Sequence, residues 1–103
     1  MKRLPPKLRI GGASYKFKKL RKNIESAQFY GQTDWDSRTI HLAKGMAPAT
    51  LARTIVHEML HVLLDEAGLN QNERLVLALE AQLSSFIADN HALISWLQEA
   101  LKK

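Results

Sequence analysis

His57, Glu58 and His61 spell H-E-x-x-H, the one run in this chain whose residue types and spacing suit a definite chemistry. Four residues of α-helix turn about 40° past a full revolution, so the two imidazoles leave the same face, close enough to share one metal ion. Neutral imidazole nitrogens bind zinc at about 2.0–2.1 Å. A carboxylate beside the ion can take a proton from the water that the ion acidifies. The run therefore holds two ligands and a general base, Glu58.

Its flanks support a metal. Leu51, Ile55, Val56, Met59, Leu60, Val62, Leu63 and Leu64 surround the motif without a Pro or Gly, the pattern of a largely buried helix. Two histidines and a glutamate in such a helix are costly unless something pairs them, and an ion does so directly. The competing reading is a pair of core histidines. With no cysteine in the chain, the ligands of any ion must be His, Asp or Glu, and zinc is favoured for such a set.

A third ligand has to come from further along. The elongated metzincin pattern requires Gly and His where this chain has Leu64 and Ala67. Asp65, Glu66, Glu73, Glu80, Asp89 and His91 remain. Asp65 shares the face of His61 but stands a turn too far from His57, and Glu66 reads as an exposed acid near the helix end. Glu73 and Glu80 are separated by only about 20° around the following helix, bordering the stripe of Val76, Leu83 and Ile87. Glu80 would face the middle of the motif helix, whereas Glu73 lies in the first turn after the chain reverses. Both stay open on this ground, with geometry leaning to Glu80.

The elements that must position these groups are legible in outline. At 103 residues the chain reads as a single domain, 1–103, able to bury a core unaided, with residues 1–6 as a tail. Lys7–Ile10 and Ala13–Phe17 read as strands joined at Gly11-Gly12, and Tyr15 and Phe17 alternate with lysines. The stretch 19–27 is ambiguous. Phe29–Asp34 and Arg38–Leu42 form a second pair turning at Asp36-Ser37, with Ile40 and Leu42 on one face and His41 on the other. Pro48 opens the motif helix, which runs to Ala67 and stops at Gly68. Asn70 or Asn72 caps a second helix reaching Asp89, and His91–Leu101 forms a third. The expected class is α+β, a small antiparallel sheet of two strand pairs packed on the H-E-x-x-H helix and followed by two further helices.

Charge divides the chain unevenly. Residues 1 to 22 hold nine Lys or Arg and no acid, and the remainder holds six bases and ten acids, +9 against −4. Lys16, Lys18, Lys19, Arg21 and Lys22 are the densest cluster, suited to nucleic acid or an acidic partner, or simply to a solvated surface. The N-terminus lacks the apolar run of a signal peptide and no stretch reaches the length of a membrane span, so a cytoplasmic protein is expected.

From Tyr30-Gly31 and the strand 38–42, through Thr54-Ile-Val-His-Glu-Met-Leu-His-Val62, to Glu73-Arg-Leu-Val76 and Asp89-Asn90, the chain resembles the ImmA/IrrE-type zincins and the short phage-associated proteins similar to them. The resemblance implies a cytoplasmic setting in a bacterial or phage-infected cell. It also implies a gluzincin-like site in which a glutamate of the next helix completes a two-His, one-Glu zinc centre. In the short forms Glu73-x-x-Val76 stands at that place, so the resemblance favours Glu73, with Glu80 as the alternative. Within these 103 residues the segment after His61 is short, and no regulatory domain or helix-turn-helix like those of the larger members is recognisable. Kinship to SprT-like zincins would enlist His91, but the glycine-containing run expected around it is missing.

The expected activity is zinc-dependent hydrolysis of a peptide bond in a protein or peptide substrate, with Glu58 as base. Tyr30, Trp35 and His41 are candidates for stabilising the oxyanion. The alternative is a non-catalytic, zinc-stabilised module that binds nucleic acid or an acidic partner through the basic region.

Overall fold

The computed structural model describes residues 3–23 and 29–102. Along the chain lie β1 (Lys7–Ile10), β2 (Ala13–Asn23), β3 (Gly31–Asp34), β4 (Thr39–Lys44), α1 (Pro48–Glu66), α2 (Glu73–Asp89) and α3 (His91–Leu101). The fold is α+β. Ile10 pairs with Ala13 across Gly11 and Gly12, whose φ angles of 58° and 82° are the positive values a two-residue hairpin demands. The second pair turns more widely than Asp36-Ser37 alone. Asp34 pairs with Thr39, and the loop between them folds as Asp34 Oδ1 accepts from the amides of Asp36 at 3.1 Å and Ser37 at 3.4 Å.

The two antiparallel pairs form as expected, but they join into one mixed sheet of order β1-β2-β4-β3, with β2 and β4 parallel. The sheet is therefore not wholly antiparallel. Burial explains which strands take the centre. β4 carries Ile40, Leu42 and Ala43, all within 2% of full burial, and an interior position covers such a strand. β1 (Lys-Leu-Arg-Ile) and β3 (Gly-Gln-Thr-Asp) are exposed on alternate positions, bury no residue fully and suit the edges. β2 also runs further than Phe17, through the ambiguous stretch to Asn23, with a register break after Lys19. The expected tail is shorter than 1–6, because the Pro6 carbonyl accepts from the Phe17 amide at 3.1 Å. Residues 1, 2 and 24–27 of those readings lie outside the described residues.

α1 crosses the inner face of the sheet. Tyr15, Ile40, Leu42 and Val62 form the buried centre, with Leu8, Ile10, Phe17, Leu51 and Ile55 packed around it. Ile40→Ala is expected to cost about 3 kcal/mol in urea unfolding, the ordinary penalty for emptying a fully buried site. The Tyr15 hydroxyl donates to Glu66 Oε1 at 3.2 Å. Burial first, and this bond second, push the phenol above its ordinary value.

α1 ends in a paired reversal. The Gly68 amide bonds to the Asp65 carbonyl and the Leu69 amide to the Leu64 carbonyl, with Gly68 at φ 72°. The chain returns within a few residues, and Asn72 caps α2 by accepting from the Leu75 amide at 3.1 Å. α2 packs on α1, burying Val76, whereas α3 buries no residue fully. Trp96 is 65% exposed, so Trp96→Ala should change unfolding free energy by no more than about 0.5 kcal/mol, in contrast to Ile40→Ala. Among the described residues no helix is long and apolar enough to cross a membrane.

Candidate metal centre

α1 supplies His57 and His61 from one face, as helical spacing requires, with ring centroids 5.0 Å apart. The short return through Gly68 then places the start of α2 against them. Glu73, the first residue of α2, reaches both rings, with Oε1 2.8 Å from His57 Nε2 and Oε2 2.7 Å from His61 Nε2. The ligand atoms of His57, His61 and Glu73 all lie within 4.8 Å of one another, a group that could hold a metal ion.

The other face of each imidazole is also engaged. Glu80 Oε1 lies 2.8 Å from His57 Nδ1, and Gln71 Oε1 lies 2.6 Å from His61 Nδ1. The Gln71 amide nitrogen donates to the His61 carbonyl at 3.1 Å, which identifies the oxygen facing the ring. A carboxylate and an amide oxygen only accept, so each Nδ1 is placed to donate, and the neutral tautomer that does so leaves Nε2 as the lone-pair atom facing Glu73. In that tautomer two lone pairs and a carboxylate converge on one point, an arrangement that a cation satisfies and that matches the nitrogen and oxygen donor set of divalent metals. The two acids left open by the sequence take different places: Glu73 meets both Nε2 atoms, while Glu80 orients His57 from behind and pairs with Arg53 Nε at 3.3 Å. Outer partners of this kind fix ring orientation in metal sites.

Glu58 is nine-tenths buried beside the rings and accepts from the Thr33 hydroxyl at 2.9 Å. Thr33 lies on β3, the edge strand that runs over α1. The approach is close at Gly31, where an added Cβ would stand 2.7 Å from Thr54 Cγ2 and 3.2 Å from Glu58 Cγ. Gly31→Ala is therefore expected to push β3 off α1 and to cost about 1–3 kcal/mol in urea unfolding, the usual penalty of overpacking.

A cleft of about 480 Å³ opens on one side of the group, bordered by Phe29, Tyr30, Arg53, His57, Glu58 and Glu80. A shallower depression holds Thr33, Trp35, Glu58, His61, Gln71 and Glu73. Of the three oxyanion candidates, Tyr30 and Trp35 border these spaces. His41 does not, lining instead a depression with Gln32 and Asp36. Asp65, Asp89 and His91 stay outside the metal group, and Glu66 bonds Tyr15.

Sequence reasoning missed Gln71 and Thr33, and it noted Gly31 without its close approach to α1. Gln71 had one signal, its place next to the Asn72 cap in the reversal that must pass the motif. Comparison with models of known protein families, with curated protein sequences and with solved structures found no match.

Proposed function

We propose that this chain is a zinc-dependent peptidase, in which His57, His61 and Glu73 hold the ion and Glu58 is the general base. The observation that carries this reading is the convergence of both Nε2 atoms on the Glu73 carboxylate, with a buried glutamate adjoining the same depression. Zinc suits a two-imidazole, one-carboxylate set, and three protein ligands are the number that catalytic zinc sites use. When bound it would acidify water and polarise a carbonyl.

The chain's own groups account for the rest of the chemistry. Glu80 and Gln71 hold the Nδ1 protons and so present the Nε2 atoms as ligands. Thr33 occupies one oxygen of Glu58, which leaves the other to take a proton from the attacking water and pass it to the departing amine. β3 is an edge strand beside the cleft, and an extended substrate can pair with the free side of such a strand. The likeness of the motif region to ImmA/IrrE-type zincins agrees with this assignment.

Elemental analysis of protein purified without a metal-binding tag tests the premise. About one zinc per chain is expected, and a chain that neither carries zinc nor takes it up on addition would overturn the proposal.

A further inference from the structure

The sheet's other face, turned away from α1, is a surface of unpaired cations. Strand alternation turns Lys7 and Arg9 of β1 and Lys16 and Lys18 of β2 to the same side, and all four are exposed. Lys7 stands directly opposite Lys16, and Lys18 opposite His41 of β4. Among the described residues none of the four cations forms an ion pair. Two carboxylates adjoin the face at its far edge: Asp34, of matching parity, bonds its own turn, and Asp36 lies in that turn beside His41.

Edge protection explains only part of this. Charge on β1 blocks pairing with a foreign strand, but β2 is an interior strand and has no free edge to protect. Like charges placed directly opposite destabilise a strand pair, so the Lys7 and Lys16 pairing is a standing cost that a polyanion would relieve. The structure also regroups the basic cluster read from sequence. Lys16 and Lys18 are joined by Lys7 and Arg9 from the neighbouring strand, while Lys19 has the opposite parity.

We propose that this face binds the phosphate backbone of double-stranded DNA without sequence preference. The four cations have no aromatic side chain between them, and the nearest rings, His41 opposite Lys18 and Trp35, lie to one side in a separate depression, so the grid itself provides no platform on which successive single-stranded bases could stack. It has no apolar anchor of the kind that centres a protein interface, which weighs against an acidic protein. The exposed neutral groups on this side, Ser14 opposite Arg9 and Gln32 opposite His41, are fewer than the cations, so phosphate rather than ribose hydroxyl is the main group the face can read. The metal group lies on the helical side of the sheet, so this surface and the proposed peptidase site stand or fall separately.

The test is fluorescence anisotropy of a labelled, random-sequence duplex of about 20 base pairs, titrated with the full chain from about 50 to 200 mM NaCl. With about four phosphates neutralised, the logarithm of affinity should fall against that of salt with a slope of about −3.6. Lys16→Ala/Lys18→Ala should weaken binding about tenfold at the lowest salt and flatten the slope by about 2, each lysine accounting for about one. Both side chains are exposed, and an unchanged far-ultraviolet circular dichroism spectrum and melting temperature would show that the variant is folded. Unaltered affinity and slope in the variant would overturn the proposal. So would equal or tighter binding of a single-stranded oligonucleotide or a polyglutamate peptide, or no saturable binding of the duplex at the lowest salt.

Discussion

Glu73→Ala protein should retain less than about a tenth of an equivalent of zinc, where the unaltered chain should carry about one. Glu73 is the carboxylate that meets both Nε2 atoms. Its removal leaves two imidazoles on a single helix, fewer protein ligands than catalytic zinc sites use. Glu80→Ala should behave differently. That variant keeps all three ligands and loses only the acceptor behind His57 Nδ1, a change that ordinarily weakens metal affinity by about 10–100-fold. It should therefore fill when zinc is supplied in excess, and Gln71→Ala, which frees His61 Nδ1, should do the same. Thermal melts give a second reading. Metal at about a hundredfold above its dissociation constant stabilises the folded chain by about 2.7 kcal/mol, on the order of 10 °C for a domain of this length. Zinc should raise the melting temperature of the original protein and leave that of Glu73→Ala unmoved. The reverse result, with metal lost from Glu80→Ala and kept by Glu73→Ala, would exchange the two glutamates.

The residues that could be read from the sequence are those fixed by local rules. The pairing of His57 with His61 follows from helical pitch, the β1–β2 hairpin from Gly11-Gly12, and the end of α1 from Gly68 followed by Leu69. What could not be read depends on how elements approach one another. Glu73 and Glu80 lie on nearly the same side of α2, and their roles differ because the tight reversal after Gly68 brings the first turn of α2 against the rings. Position along the helix alone had favoured Glu80. Thr33 offers nothing in sequence to distinguish it from any strand threonine until β3 is laid across α1, and Gly31 is explained only by that same contact. The parallel pairing of β2 with β4 is a long-range choice governed by burial of Ile40 and Leu42, and no hairpin signal reports it. α3 marks the opposite limit: its apolar residues recur at helical spacing, yet none is fully buried, because periodicity shows that a helix has an apolar face and not what that face meets.

Glu58→Gln should separate metal binding from catalysis. The substitution keeps the shape of the side chain and an oxygen to accept the Thr33 hydroxyl, so the variant should fold and hold zinc as the original protein does. It cannot take up a proton. Loss of a positioned acid or base costs about 10²–10⁴-fold in rate, and cleavage of a proteome-derived peptide library, read by mass spectrometry, should fall by that much. Thr33→Val is the companion variant: it retains the carboxylate but removes the bond that holds it, so the loss should be smaller and the zinc content unchanged. Cleavage by Glu58→Gln at the original rate would eliminate Glu58 as the base. Zinc-loaded native protein that cleaves nothing the variant does not cleave would assign the metal a structural role, holding α2 to α1. Glu58 would then be a buried acid paired with Thr33, and the chain's activity would have to be sought in what it binds.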